Sequence, residues 1–330
     1  MGYELLECSI NELFEKTEVL SLQMDGMNNL EEAFNNLRVL DVFKCQNLRY
    51  LFTVPIASGL MKLEFLKVSQ CPVLEFLAYS KNGGAGEIGF QKLKFLYLEK
   101  LAKLEGFCNN VNVIELPQLV YLILDGLPNF TNIYPEKTST TSSVSSNVSP
   151  IQPFFNKNML IPKLERLIIL SMDKLKEIWP YQFSSSDVVN ACMLTKIEVM
   201  ECDNLVNMFP TNPMSLMGRL EVLDVRECGS IEVLLNIDMS CLWRMKGEGS
   251  SDNLIRSFQA VERIEIRRCE RFVNVFTPTV TNSDVRTLMN VNIDGWRTCE
   301  ETGGKIEFVQ NSQEVCDVIH LSISICILMI

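Results

Sequence analysis

Histidine is nearly absent: the 330 residues hold one, His320, in an apolar stretch near the C-terminal end. A Ser/His/Asp triad, a Cys/His dyad or a multi-histidine zinc site would have to be assembled around that one imidazole, so most enzyme templates fail. CxxC pairs are missing too, which removes the usual zinc and redox spacings. There is no GxxxxGK[ST] loop, kinase motif set or GxSxG elbow, so nucleotide hydrolysis and acyl transfer have no visible apparatus. Basic residues are outnumbered, 30 Lys plus Arg against 41 Asp plus Glu, for a net charge of −11. That balance disfavours a phosphate-backbone binder, and nucleic acid is not an expected partner. Long apolar runs are missing as well. The longest, Val318 to Ile330, has 13 residues, short of the roughly 20 a spanning helix needs. Acidic Glu4, Glu7 and Glu12 occupy the place of a secretory peptide's basic start. The expectation is a cytoplasmic, non-catalytic chain with no cofactor, no catalytic residue and no metal site.

What the sequence does contain is a repeat. With 47% hydrophobic and 22% charged residues the chain can bury a core, and one phrase, LxxLxLxxCxxLxxL, recurs about ten times. NLRVLDVFKCQNLRYLF supplies Leu37, Leu40, Val42, Cys45, Leu48 and Leu51; KLEFLKVSQCPVLEFL repeats the spacing from Leu63 to Leu77. The second strand leucine, or its substitute, falls at 22, 40, 66, 96, 122, 167, 197, 223, 264 and 291. In xLxLx the two apolar residues point one way and their neighbours the other, as a strand of period two demands. No single unit buries its face alone, so neighbours stack. The predicted fold is an α/β leucine-rich-repeat solenoid, with a concave parallel β-sheet and a convex side of turns and short helices. Its expected divisions are a lead-in or cap at 1–16, about ten repeats over 17–300, and a tail at 301–330.

Two long steps mark insertions, near 135–158 and 236–256. The first holds TSTTSSVSSNVS, a composition that predicts a disordered loop. Neither separates domains, because the repeat resumes after each. Cys45, Cys71, Cys202, Cys228 and Cys269 share a slot filled elsewhere by Met27, Leu101, Leu127, Met172 and Trp296, so these thiols are expected to pack as small reduced hydrophobes. Gly84, Gly86 and Gly89 fit GxGxxG, but the stretch leads into a strand rather than a helix, so it is expected to be a linker loop.

Function is then sought on the concave face, whose outward positions form three columns. The first runs Val39, Phe65, Phe95, Tyr121, Arg166, Lys196, Val222, Arg263. The second runs Asp41, Lys67, Tyr97, Ile123, Ile168, Glu198, Asp224, Glu265, and the third Phe43, Ser69, Glu99, Asp125, Leu170, Met200, Arg226, Arg267. Phe65, Phe95, Tyr97, Tyr121 and Ile123 form a patch suited to a hydrophobic anchor. Arg166, Lys196, Arg226, Arg263 and Arg267 offer a basic zone for an acidic partner. Against that stands a plainer reading, in which Glu198, Asp224 and Glu265 neutralise these bases across neighbouring strands.

The repeat phrases, IPKLERLIILSMDKLKEIW and ELFEKTEVLSLQMDGMNNL resemble the leucine-rich-repeat region of plant intracellular disease-resistance receptors of the coiled-coil, nucleotide-binding class. Phe52, Trp179, Phe209 and Phe276, each closing a repeat, add to the likeness, which covers roughly residues 10 to 300. The resemblance implies a protein-recognition module in plant defence. Its implied partners are proteins: a pathogen effector, a guarded host protein, or a nucleotide-binding receptor module. That module's motifs are not in this sequence, so an isolated or truncated repeat region is expected. A substrate receptor of a ubiquitin ligase is the alternative, but such repeats continue CxxITDxGL, whereas this chain reads CQNLRYLF and CPVLEFL.

Overall fold

The computed structural model describes residues 17–23, 35–80, 86–109, 111–133, 153–155, 159–179, 193–238, 260–261, 263–276, 297–298 and 306–307. In chain order the first strands are β1 (Val19–Leu22), β2 (Val39–Phe43), β3 (Tyr50–Thr53), β4 (Phe65–Ser69), β5 (Phe76–Tyr79) and β6 (Gly86–Gly89). There follow β7 (Phe95–Glu99), β8 (Gly106–Cys108), β9 (Val111–Glu115), β10 (Tyr121–Asp125), β11 (Met159–Leu160), β12 (Arg166–Leu170) and β13 (Lys196–Met200). The last are β14 (Val222–Arg226), β15 (Val233–Leu235), β16 (Arg263–Arg267), β17 (Asn274–Phe276), β18 (Arg297–Thr298) and β19 (Ile306–Glu307).

Nine of these build the principal sheet, in the order β1-β2-β4-β7-β10-β12-β13-β14-β16. Every pairing in it is parallel, each strand entering once per repeat. Three smaller parallel sheets, β3-β5-β8, β6-β9-β11 and β15-β17, run beside it. The chain is therefore a parallel-strand solenoid. Helix is confined, among the described residues, to α1 (Val54–Gly59) and α2 (Met214–Met217). The alternation of strand and helix in an α/β label is thus not a feature of the described residues, whose turns and short strands occupy most of the return path.

The stacking follows from the alternation. Inward-facing Leu40, Val42, Leu66, Val68, Leu96, Leu98, Leu122 and Leu124 are all buried, and each such side chain contributes roughly 1.5–3 kcal/mol on burial. The expected register holds from residue 40 to residue 264: Leu40, Leu66, Leu96, Leu122, Leu167, Ile197, Leu223 and Ile264 stand side by side. It fails by two residues in the first repeat. Leu20, not Leu22, pairs with Leu40, because TEVLSL offers apolar residues at 19, 20 and 22 and so fits two phases. The unit expected around 291, most of each insertion and the tail beyond 307 lie outside the described residues.

One position per repeat takes a left-handed backbone. Lys44, Gln70, Lys100, Ser171, Glu201, Glu227 and Arg268 have φ between 50° and 55°, and Gly126 has φ 65°. Each follows a principal strand and precedes the Cys/Leu/Met slot. From Lys44 to Glu227 the N–H at this position donates to the carbonyl of the next strand's last residue, as from Lys44 to Ser69 at 3.0 Å. This continues the ladder around the corner at a conformational cost of about 1–2 kcal/mol for each non-glycine residue.

Rings fill the interior behind the sheets. Phe107, Phe130, Phe154, Phe155, Trp179 and Phe209 succeed one another at centroid distances of 4.8 to 5.9 Å, ending in a Trp179–Phe209 stack at 6°. Phe154 and Phe155 belong to the insertion expected near 135–158; the Ser/Thr run at 138–149, where disorder is expected, lies outside the described residues. Both rings are buried, at 0% and 4% exposure, and their N–H groups donate to Glu177 and Ile178 carbonyls at 2.9 and 2.8 Å. They occupy the ring position that the long step between β10 and β12 would leave empty.

The chain divides into two units, Met1–Asn292 and Ile293–Ile330. All of the repeats above lie in the first. The second shows one antiparallel pair, β18 with β19.

Candidate functional site

The three columns read from the sequence are realised residue by residue. Phe65, Phe95, Tyr121, Arg166, Lys196, Val222 and Arg263 are in register across the sheet, as are the second and third columns. Strand pairing therefore brings the expected patch together. Phe65 and Phe95 lie 6.2 Å apart, and Phe95 and Tyr121 stack at 4.7 Å and 20°. The Arg166 guanidinium sits 5.2 Å over the Tyr121 ring, and Lys67 Nζ 4.8 Å over Tyr97. Phe95, Tyr97, Tyr121 and Ile123 are half-buried, leaving part of each side chain to solvent. Phe65 is not available in the same way: only 6% of it is exposed, because its ring is tucked beside Phe95.

The basic zone is rearranged by its own carboxylates. Glu198 is fully buried with Lys196 Nζ 2.8 Å from Oε1. Arg226 donates to both oxygens of buried Asp224, at 2.8 and 2.6 Å, and its Nη2 lies 3.6 Å from Glu265. Arg267 pairs with Glu265. The neutralisation runs along each strand, between residues two apart, and the Arg226–Glu265 contact crosses strands. Arg263 is exposed and Arg166 is taken up by Tyr121. At the N-terminal rim Glu64 holds Arg38 at 3.0 Å and Lys94 at 2.7 Å, and the Lys94 hydrogen bond is the main reason its carboxyl is lowered.

Near the aromatic patch, burial shifts several acidic groups. Burial, then the Glu99 charge, pushes the Asp125 carboxyl above its ordinary range. Burial does the same for Asp41, with Lys67 opposing, and Asp41 Oδ1 is buried without a hydrogen-bond partner. The Tyr97 phenol is likewise raised by burial, then by Glu99 and Asp125.

The shared Cys slot is interior. Cys45, Cys71, Cys202 and Cys228 are buried and Cys269 partly so, none of them in a disulfide. Each thiol donates to the carbonyl two residues back, at 3.3 to 3.7 Å. Burial pushes Cys71 up to about 12, and a hydrogen bond with Cys202 followed by burial does the same for Cys228, so both stay protonated at neutral pH. The slot's Met27 and Trp296 lie outside the described residues.

Gly86 and Gly89 of the GxGxxG match, expected in a linker, bound strand β6, which pairs with β9 and leads on to β7 rather than to a helix. Gly84 lies outside the described residues. A polar depression of about 520 Å³ lies at the turns and is lined by Asp203, Glu227, Gly229, Arg268 and Glu270 among others. Among the described residues no group of three or more His, Cys, Asp or Glu side chains is arranged to hold a metal. No helix among them is long and apolar enough to cross a membrane.

No curated protein matches the chain at a significant level. Two stretches do match a family model, and they include the NLRVLDVFKC and KLERLIILSMDKLKEIW phrases: residues 25–72 and 163–251 match the leucine-rich repeats of the plant disease resistance protein RPS2-like family.

Proposed function

We propose that the chain is a non-catalytic protein-recognition module of plant defence. It would act in the cytoplasm, sensing a pathogen effector or a guarded host protein, or regulating a nucleotide-binding receptor module. The repeats within 17–300 serve as one recognition body. The observation that carries this reading is the Phe95–Tyr121 stack, held half-open on the solvent-facing side of a sheet whose inward side is closed. Large rings left partly wet beside Tyr97 and Ile123 have apolar area to lose on binding. The family match supports the defence context.

The surface is assigned to Phe65, Phe95, Tyr97, Tyr121 and Ile123, with Phe65 as a buttress. Of the expected bases, Arg166 lies over Tyr121, Arg263 is exposed on β16 away from the rings and is left out of the surface, and Lys196, Arg226 and Arg267 act chiefly within the sheet. The Phe95→Ala, Tyr121→Ala double variant tests this. It should keep a cooperative melt, losing about 1–2 kcal/mol for the ring pair, and capture fewer partners from plant cytosol. Loss of a nucleotide-binding receptor fragment or a defence component from the captured set would support the reading. Unchanged capture, or capture dominated by ubiquitin-ligase scaffold subunits, would overturn it.

A further inference from the structure

The solvent-facing side of the principal sheet distributes its charge unevenly, and the unevenness bears on what the aromatic patch would bind. Over β13, β14 and β16 each of Lys196, Arg226 and Arg267 closes on a carboxylate of its own strand. Of the outward bases on these strands, Arg263 alone is exposed. Around Tyr97, over whose ring Lys67 lies, the carboxylates are matched unequally. Glu99 and Asp125 stand directly opposite each other on β7 and β10, a like-charged cross-strand pair that destabilises a sheet. Glu99 is met by Lys100 at 3.0 Å and Lys67 at 3.9 Å. Asp125 has no cation within 4.0 Å among the described residues, and burial, then Glu99, hold its carboxyl above the ordinary range against the pull of the more distant Lys100. Glu201, beyond it, is bound by the Ser171 hydroxyl rather than by a cation. A local rule is thus broken beside the one open aromatic stretch of the described sheet, and such violations gather at functional sites.

We propose that the occupant of this face is a cationic segment of a partner protein, with a Lys or Arg side chain beside Asp125 and Glu99 and an apolar side chain laid on Phe95 and Tyr121. This rests on the reading of the face as a protein-binding surface and adds the chemistry of the ligand. It inverts the partner that a count of outward bases gives. An anionic segment would bring a third negative group against an already repelling pair, whereas a cation gains charge-assisted hydrogen bonds and relieves the repulsion. The strand sets the spacing. Phe95 and Glu99, like Tyr121 and Asp125, are four residues apart, roughly 13 Å in extended chain. An extended ligand would therefore place its cation about four residues from its apolar anchor, with Tyr97 and Ile123 under the position between.

The test is a selection of random peptides displayed on phage, against the wild-type chain and with counter-selection on the Phe95→Ala, Tyr121→Ala variant. Recovered peptides should be enriched in Lys or Arg about four residues from an aromatic or aliphatic residue. Synthesised, they should bind about tenfold more weakly to Asp125→Asn and to Glu99→Gln, two variants that keep the wild-type circular dichroism spectrum. Peptides that need Phe95 and Tyr121 but lack basic enrichment, or are acidic, would overturn the cationic ligand and leave the surface assignment standing. Recovery of no peptide that depends on Phe95 and Tyr121 would overturn both.

Discussion

At the centre of the solvent-facing side, Asp41, Lys67, Tyr97 and Ile123 remain half-exposed on β2, β4, β7 and β10. The equivalent Ile168, Glu198, Asp224 and Glu265 on β12, β13, β14 and β16 are buried, Glu198 and Asp224 completely. The backbone is the same parallel ladder throughout, so the difference comes from the flanking columns. In the C-terminal half Lys196, Arg226 and Arg267 are long enough to fold over a central carboxylate and shut it from water. In the N-terminal half the flanks are rings and short acids, which stack or repel and leave the centre open. One sheet thus has a stretch closed by its own ion pairs and a stretch left open to solvent. Buried ion pairs are weak contributors to net stability but costly to break, which gives the two halves opposite responses to substitution.

The largest expected effect is at their junction. Phe154→Ala should remove about 3–5 kcal/mol, as for other fully buried phenylalanines, measured by urea unfolding followed by circular dichroism. A loss below about 1 kcal/mol would show that the ring succession is not continuous between the halves. Next is the closed face. Arg226→Ala leaves Asp224 buried with no bidentate partner and should cost about 2–3 kcal/mol. That is below the full penalty, because 20% of the arginine side chain is exposed. An Arg226→Ala variant as stable as wild type would mean that water already reaches Asp224.

The smallest effect sharpens the comparison by changing sign. Asp125→Asn should stabilise the open half by up to about 1 kcal/mol at pH 7, since it removes a like-charged cross-strand partner. The pH dependence follows from the raised carboxyl. Above its folded pKa, Asp125 is ionised in both folded and unfolded chains and its penalty is present in full. As pH falls through that value towards 3.8, the folded state takes up the proton first and the penalty fades. The advantage of Asp125→Asn should therefore shrink on acidification, and thermal melts at pH 7 and pH 4 check it. An advantage that grows on acidification would contradict the assignment.

Much of this was legible in the sequence because repeat spacing and strand alternation are local properties. The columns from residue 39 to residue 267 follow from counting, and so does the interior Cys slot. What counting misses depends on side-chain reach. It places Phe65 outward but not under Phe95, and it sets Glu198 between bases without showing that Lys196 on the same strand closes over it. Phe154 and Phe155 come just after a Ser/Thr run and between prolines and polar residues, off the repeat spacing, so counting does not show two core rings. The left-handed corners also escape notice, because Lys, Gln, Ser, Glu and Arg fill them in seven of eight described repeats, and only Gly126 carries the usual signal. The aromatic column follows from counting as well, but which of the outward bases are held by carboxylates does not. Formal counts weigh every Arg equally, whether it is exposed like Arg263 or held like Arg226.

The central claim, that the open half is the contact surface and the closed half is not, is tested most directly by one quantitative capture experiment. Wild-type chain, the Phe95→Ala, Tyr121→Ala variant and an Arg263→Glu variant are each used to capture proteins from plant cytosol, and the yields are compared by mass spectrometry. The account predicts that specific partners vanish with the ring variant and persist with Arg263→Glu. Partners that persist with the ring variant and vanish with Arg263→Glu would contradict it.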